Sequence, residues 1–254
     1  MPCRINHKRM WTGRIILESM HTPLISTFLT LTYNEENYPE YGNLVKDDLF
    51  KYINRLRHRK GVGHFRYFAV GEYGDKTQRA HYHMALFGIP PTYKEILMDC
   101  WSKDGQSIGN IHTGSITKDS ASYLASYVTK RKTNPDHPDL DGRTPEFSIQ
   151  SRRPPLGAPG VRHIEDMLHT RSGAKAIAQM GDVPDSYKVQ GNNYPLGTYW
   201  KNWLRQRMGI THPKVNSSWQ LDYEKVTQET EKASKEATVL WQKAQKPHFI
   251  KVSL

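Results

Sequence analysis

The apolar positions along this chain change period from one segment to the next. Residues 24–33 (LISTFLTLTY) are β-branched and aromatic, which predicts a central strand, and residues 34–43 (NEENYPEYGN) are turn-forming and polar. Over residues 46–60 apolar side chains recur at Leu49, Tyr52, Ile53 and Leu56, the spacing of one helical face, and Gly61 stands where such a helix would end. Arg55, Arg57, Arg59 and Lys60 suit the negative C-terminal end of that helix. Two more strands, residues 65–71 (FRYFAVG) and 81–88 (HYHMALFG), flank the turn-rich EYGDKTQRA and form a hairpin. A short helix over 93–101, a weaker strand over 108–116 and a helix over 119–130 complete the pattern.

The order β-α-β-β-α-β-α over residues 24–130 predicts an α+β fold: a ferredoxin-like or RRM-like antiparallel sheet built as a split βαβ. In such a sheet helices cover one face, and the other can stay open for a site. Residues 131–160 are rich in Pro, Gly and Arg and read as loop with one short strand at 147–150. Residues 161–210 suggest a small helical and hairpin unit, and residues 220–246 a helix of mixed charge. The expected organisation is therefore one domain over 1–160, with its core at 24–130, and a mainly helical C-terminal appendage over 161–254. No motif gives that appendage a role.

Composition adds a partner. Against 25 Asp and Glu stand 36 Lys and Arg, a formal charge of +11, with 14 Tyr, 6 Trp and 7 Phe. Cations neutralise phosphates and aromatic faces stack on bases, so a polyanion partner such as a nucleic acid fits this balance. The two cysteines, Cys3 and Cys100, form neither a CxxC pair nor a zinc pattern. The basic N-terminus lacks a signal-peptide run, and no window of about 18 apolar residues occurs. The expectation is a cytoplasmic protein with no membrane attachment. No G-x-x-x-x-G-K-[ST] segment is present, so any strand unwinding would fall to another protein.

Two local patterns carry chemistry. His81 and His83 are separated by one residue, so on a strand both imidazoles share a face while Tyr82, Met84 and Leu86 take the other. Glu72, across the hairpin, can supply a carboxylate oxygen. Two imidazoles and a carboxylate without thiolate suit Mg²⁺ or Mn²⁺, although H-x-H pairs also occur without a metal. In the helix over 119–130, Ala121, Leu124, Ala125 and Val128 form an inward stripe. Tyr123, Tyr127 and Lys130 form a second stripe roughly 140° away, off the core face. A phenolate can attack a phosphodiester when a metal polarises the phosphate, and Lys130 can offset its charge or assist proton transfer.

These motifs together resemble the HUH endonuclease superfamily, named for two histidines flanking a hydrophobic residue, here His81-Tyr82-His83. Within it they are similar to the replication initiators of the Microviridae, the small single-stranded DNA phages, in their gokushovirus-like branch. The resemblance rests on FLTLTY at 28–33, GEYG then HYH within 71–83, and YLASYVTK at 123–130 with its paired tyrosines; SRRPPLG at 151–157 is also similar.

The resemblance implies rolling-circle initiation in the host bacterium's cytoplasm. A metal held by His81, His83 and Glu72 polarises the scissile phosphate of the origin, and one tyrosine attacks it. That leaves a 5′-phosphotyrosine and a 3′-OH for a host polymerase, with a host helicase unwinding. The second tyrosine acts after one circuit, and rejoining releases a circle. Arg152, Arg153, Arg55 and Arg59 are the candidate DNA contacts. Two other readings remain: a relaxase or transposase with the same chemistry, and a non-catalytic single-strand-binding module of ferredoxin-like fold, which would display aromatics on its open face.

Overall fold

The computed structural model describes residues 2–22, 25–129 and 134–211. Lys130 and the helix expected at 220–246 lie outside the described residues. The chain divides into two compact units, residues 1–157 and 158–254.

In the first unit, α1 (Pro2–Met20) precedes β1 (Thr27–Tyr33), α2 (Lys46–His58), β2 (Arg66–Tyr73), β3 (Ala80–Phe87) and α3 (Lys94–Cys100). A two-residue hairpin, β4 (Ser102–Lys103) and β5 (Gln106–Ser107), leads to β6 (Gly109–Ser115), α4 (Lys118–Tyr127) and β7 (Phe147–Gln150). The main sheet has the order β6-β1-β3-β2-β7, every neighbouring pair antiparallel. The α+β fold is the expected one: the split βαβ order across β6-β1-β3-β2, with β7 added at the edge.

Alternation along the strands builds the larger core. Leu29, Leu31 and Tyr33 of β1, Tyr67, Ala69 and Tyr73 of β2, and Tyr82, Met84 and Leu86 of β3 belong to one buried cluster. Leu49, Tyr52, Ile53 and Leu56 of α2 and Leu97 and Cys100 of α3 close it. Trp101 sits at its centre, fully buried, with Nε1 donating to the Thr32 carbonyl at 2.9 Å.

The opposite face departs from expectation. The sequence reading leaves that face open, but α1 packs against α4, and both pack against β3. Trp11 of α1 lies 5.5 Å, ring to ring, from Phe68 of β2. The residues that seat α1 include Ile15, Ile16 and Leu17, together with a buried glutamate, Glu18. Glu18 accepts from Arg66 Nε at 2.5 Å and from the Gly157 amide at 2.6 Å. A buried carboxylate is tolerated where an ion pair and hydrogen bonds satisfy it, since without them a charge would be stranded away from water, yet to a hydropathy reading it marks a solvent face. Combined with the basic first half of α1, it hid the helix.

The second unit contains α5 (Ala158–Leu168), α6 (Arg171–Met180), the hairpin β8 (Ser186–Val189) and β9 (Asn192–Pro195), and α7 (Gly197–Arg207). Thr170 caps α6 by accepting from the Gly173 amide, and Gly181 ends it at φ 70°. The hairpin turns through Gln190 and Gly191, both at positive φ, which matches the twist of its strands. Asp182 joins the hairpin's lead-in to α7 through Arg205, which holds its carboxyl below the ordinary range. No helix among the described residues is long and apolar enough to cross a membrane.

Gly109 is required by a close approach. It pairs with Tyr33 in the β1–β6 ladder, and a Cβ there would meet the Thr32 carbonyl oxygen at 1.8 Å. Backbone atoms cannot move aside as a side chain can, so Gly109→Ala is expected to cost about 3 kcal/mol or more, the upper end for overpacking. Urea denaturation of the two proteins would measure it; equal midpoints would show that the edge strand tolerates the clash.

Candidate functional site

Sheet register assembles the site. Glu72 of β2 lies directly across from His81 of β3, and Val70 across from His83. Since alternate residues share a face, Glu72, His81 and His83 emerge together on the α1/α4 side, while Tyr82 points into the core. Tyr82 is anchored there, its hydroxyl donating to the Val45 carbonyl and accepting from the Val45 amide, both at 2.9 Å.

Both histidines aim Nε2 at one carboxylate oxygen. His81 Nε2 and His83 Nε2 each lie 2.9 Å from Glu72 Oε1, and the potential ligand atoms of the three residues lie within 4.8 Å of one another. The far nitrogens are also held. His81 Nδ1 sits 2.9 Å from the Arg79 carbonyl oxygen, and His83 Nδ1 lies 2.8 Å from Thr30 Oγ1. A carbonyl oxygen only accepts, so His81 Nδ1 carries the proton and its Nε2 lone pair faces an acceptor carboxylate. Two lone pairs converging at that distance are reconciled by a cation between them, a proton or a metal ion. Glu72 is 3% exposed and His83 7%, so the donors sit largely away from water. Helper hydrogen bonds of this kind are what orients imidazoles toward a metal. The group fits a metal ion.

Helix α4 brings the tyrosines over this cluster. Its start is fixed by a capping box, with Thr117 accepting from the Ser120 amide and the Ser120 hydroxyl accepting from the Thr117 amide. One and a half turns later, the Tyr123 hydroxyl donates to Glu72 Oε1 at 2.9 Å and lies 3.2 Å from His83 Nε2. The Tyr127 ring stacks on His83 at 6.2 Å and meets Tyr123 edge-on at 5.0 Å. The Phe28 ring also stacks on His83, at 5.6 Å. Burial pushes the Tyr123 phenol up to about 12; a hydrogen bond from Tyr127 opposes the rise and the Glu72 charge adds to it. Burial, followed by hydrogen bonds to Glu72 and Tyr123, pushes Tyr127 up much further.

The expected residues are placed unequally. His81, His83, Glu72, Tyr123 and Tyr127 come together. The two tyrosines do not share a solvent stripe, however: Tyr123 is 42% exposed and Tyr127 only 6%. The stripe that periodicity assigned to the non-core side faces the sheet, because α4 lies across it. Arg55 and Arg59 are not brought to the site. They sit on α2, over the opposite face, where Arg55 donates to the Cys100 carbonyl and Arg59 pairs with Asp99 at 2.5 Å. Arg152 and Arg153 are exposed just beyond β7, at the end of β2 remote from Glu72. Sequence reasoning missed Thr30, Arg79 and Phe28. Thr30 was open to discovery, since it shares the polar side of an alternating strand, but only the β1–β3 register pairs it with His83.

Residues 26–132 match the family model described as Replication-associated protein ORF2/G2P. The chain is 32% identical over 238 residues to the Replication-associated protein VP4 of Bdellovibrio phage phiMH2K, an alignment taking in 84% of this chain and 67% of that protein. It is also 32% identical over 151 residues to the Replication-associated protein ORF2 of Spiroplasma virus 4, covering 51% of this chain and 46% of that one. No solved structure matches the chain. The matched span holds every residue of the histidine, glutamate and tyrosine cluster.

Thr30→Val keeps the shape of the side chain and removes the partner of His83 Nδ1. Such a change is expected to weaken Mn²⁺ binding about 10- to 100-fold, with the circular dichroism spectrum unaltered. Calorimetric titration would read it; an unchanged affinity would show that Thr30 does not orient the ring.

Proposed function

We propose that this chain, which belongs to the family of phage replication-associated proteins, is a metal-dependent, tyrosine-nucleophile endonuclease that nicks and rejoins single-stranded DNA at a replication origin. The observation that carries the reading is a phenol hydroxyl within hydrogen-bond reach of a two-histidine, one-glutamate cluster. Endonuclease chemistry at a phosphodiester needs a positioned nucleophile and a means of drawing charge from the phosphate. The Tyr123 hydroxyl, 2.9 Å from Glu72 and 3.2 Å from His83, supports such a pairing of phenol and candidate metal ligands.

Glu72, His81 and His83 would hold the ion, and their mixed nitrogen and oxygen donors, without thiolate, accommodate Mn²⁺, or Mg²⁺ at its cellular abundance. When bound, it would supply Lewis-acid stabilisation of the charge that develops on the phosphate's non-bridging oxygens. The residues do the rest. Tyr123, half exposed and hydrogen-bonded to Glu72, is the first nucleophile. Its oxygen forms a bond to phosphorus as its proton passes to water, and the bond to the 3′ oxygen breaks, that oxygen taking up a proton from water. The products are a 5′-phosphotyrosine and a 3′-OH. Tyr127, buried against His83 and Tyr123, is the second nucleophile, available once Tyr123 is occupied. The retained phosphodiester energy lets a new 3′-OH reverse the step and close a circle, so no nucleotide is consumed. A host helicase and polymerase would act on the displaced and extended strands, in the cytoplasm of the infected cell.

Order of use separates the two tyrosines. With Mn²⁺ and a pool of labelled single strands, Tyr123→Phe is expected to lose the first covalent protein–DNA adduct. Tyr127→Phe should form it and fail at circle closure. The double variant should form no adduct. Adducts persisting in the double variant on a denaturing gel would remove tyrosine chemistry from the account. Loss of the first adduct in Tyr127→Phe alone would reverse the order.

A further inference from the structure

A second basic feature lies away from the histidine cluster. Between α2 and the β7 edge runs a cleft of about 1050 Å³, lined by Lys46, Phe50, Arg57, Arg66, Arg152 and Arg153 among others, with no carboxylate in its lining. Of these cations Arg66 is bound to Glu18. Lys46, Arg57, Arg152 and Arg153 are exposed and have no acidic partner among the described residues. Lys46 instead lies 5.9 Å from the Phe50 ring and 5.4 Å from the Phe147 ring, and Arg57 lies 5.7 Å from the Tyr67 ring. Like charges gathered without counterions repel one another, and a bound polyanion would relieve that repulsion.

The composition of the cleft selects the polyanion. Phe50 is 45% exposed, a large apolar ring at the rim of a cationic groove. Alternating cations and an open aromatic face serve phosphates and unstacked bases at once. A duplex keeps its bases stacked and is read by an element that protrudes into a groove, whereas this feature is concave. The cleft also has a defined position along the sheet. Phe147, beside Lys46, pairs with Gly71, the neighbour of Glu72, while Arg66 marks the far end. Six steps of strand lead from Arg66 to Glu72, about 20 Å, long enough to keep several nucleotides of an extended strand away from the cluster.

We propose that the cleft between α2 and β7 is a second single-stranded DNA site, which holds the strand at a distance from the histidine and tyrosine cluster. It is independent of the nicking chemistry, since it needs neither metal nor tyrosine. Arg57 provides its central cation, Arg152 and Arg153 its far wall, and Phe50 its stacking platform.

Binding of fluorescein-labelled oligothymidylate, about 16 nucleotides long to span a typical single-strand site, is measured by anisotropy in EDTA with the full chain. The triple variant Arg57→Ala, Arg152→Ala, Arg153→Ala is expected to lose affinity at least tenfold and to flatten the slope of log K against log salt by about 2, three phosphates at about 0.7 each. Phe50→Ala should weaken binding about fivefold or more without changing that slope. A control triple, Arg162→Ala, Arg171→Ala, Lys175→Ala, removes the same charge from exposed positions of the second unit and should change little. All substituted residues are exposed, and thermal midpoints would verify intact folding. Unchanged affinity in the cleft triple would overturn the proposal, as would an equal loss in the control triple, which would reduce the effect to net charge. If Phe50→Ala weakened a duplex of the same length as much as the single strand, the assignment to single-stranded DNA would fall.

Discussion

The pairing of Glu72 with His81 across β2 and β3 is the constraint on which the rest depends. Both strands are central in the sheet, and strand periodicity is two, so a slip of one residue would turn His81 and His83 into the core and Tyr82 toward the tyrosines. Several buried interactions oppose that slip. Tyr82 is locked to the Val45 backbone, and its hydroxyl lies 2.8 Å from that of Tyr33, which donates to Asp48. The hydrogen-bond network on the core side thus holds the geometry on the site side. Rigidity of this kind is what a metal site of three converging donors requires.

A second layer turns the sheet face into a site. Were the face bare, Glu72 would be hydrated and the imidazoles free to rotate. Phe28 and Tyr127 instead stack on His83, Thr30 and the Arg79 carbonyl hold the far nitrogens, and α1 with α4 covers the face. Desolvation strengthens every charge interaction within. It also treats the two phenols differently: one half exposed and in contact with the carboxylate, the other packed as a core residue. A pair that sequence spacing presents as equivalent is made unequal by the roof above it.

The sheet, its helices and the converging histidines were legible in the sequence because they rest on local periodicity. HYH within an alternating strand can be read without a partner, and YLASY within a capped helix likewise. What stayed hidden depends on non-local pairing or on paired polar groups in the interior. Helix α1 was obscured by Glu18, whose burial makes sense only beside Arg66, a residue 48 positions away. The burial of Tyr127 followed from the same omission, since a face thought open offers nothing to bury against. Charge alone singles out Arg55 and Arg59; α3 captures both, and Arg57 between them lines the cleft instead. Charge on a helix does not reveal which neighbours it will meet.

The most direct test of the central claim is pulsed electron paramagnetic resonance of the protein loaded with one equivalent of Mn²⁺. Two directly bound imidazoles should give two sets of nitrogen couplings, reduced to one in His81→Ala and in His83→Ala alike. A Mn²⁺ signal without nitrogen coupling, or one unchanged by both substitutions, would contradict a metal centre built from Glu72, His81 and His83.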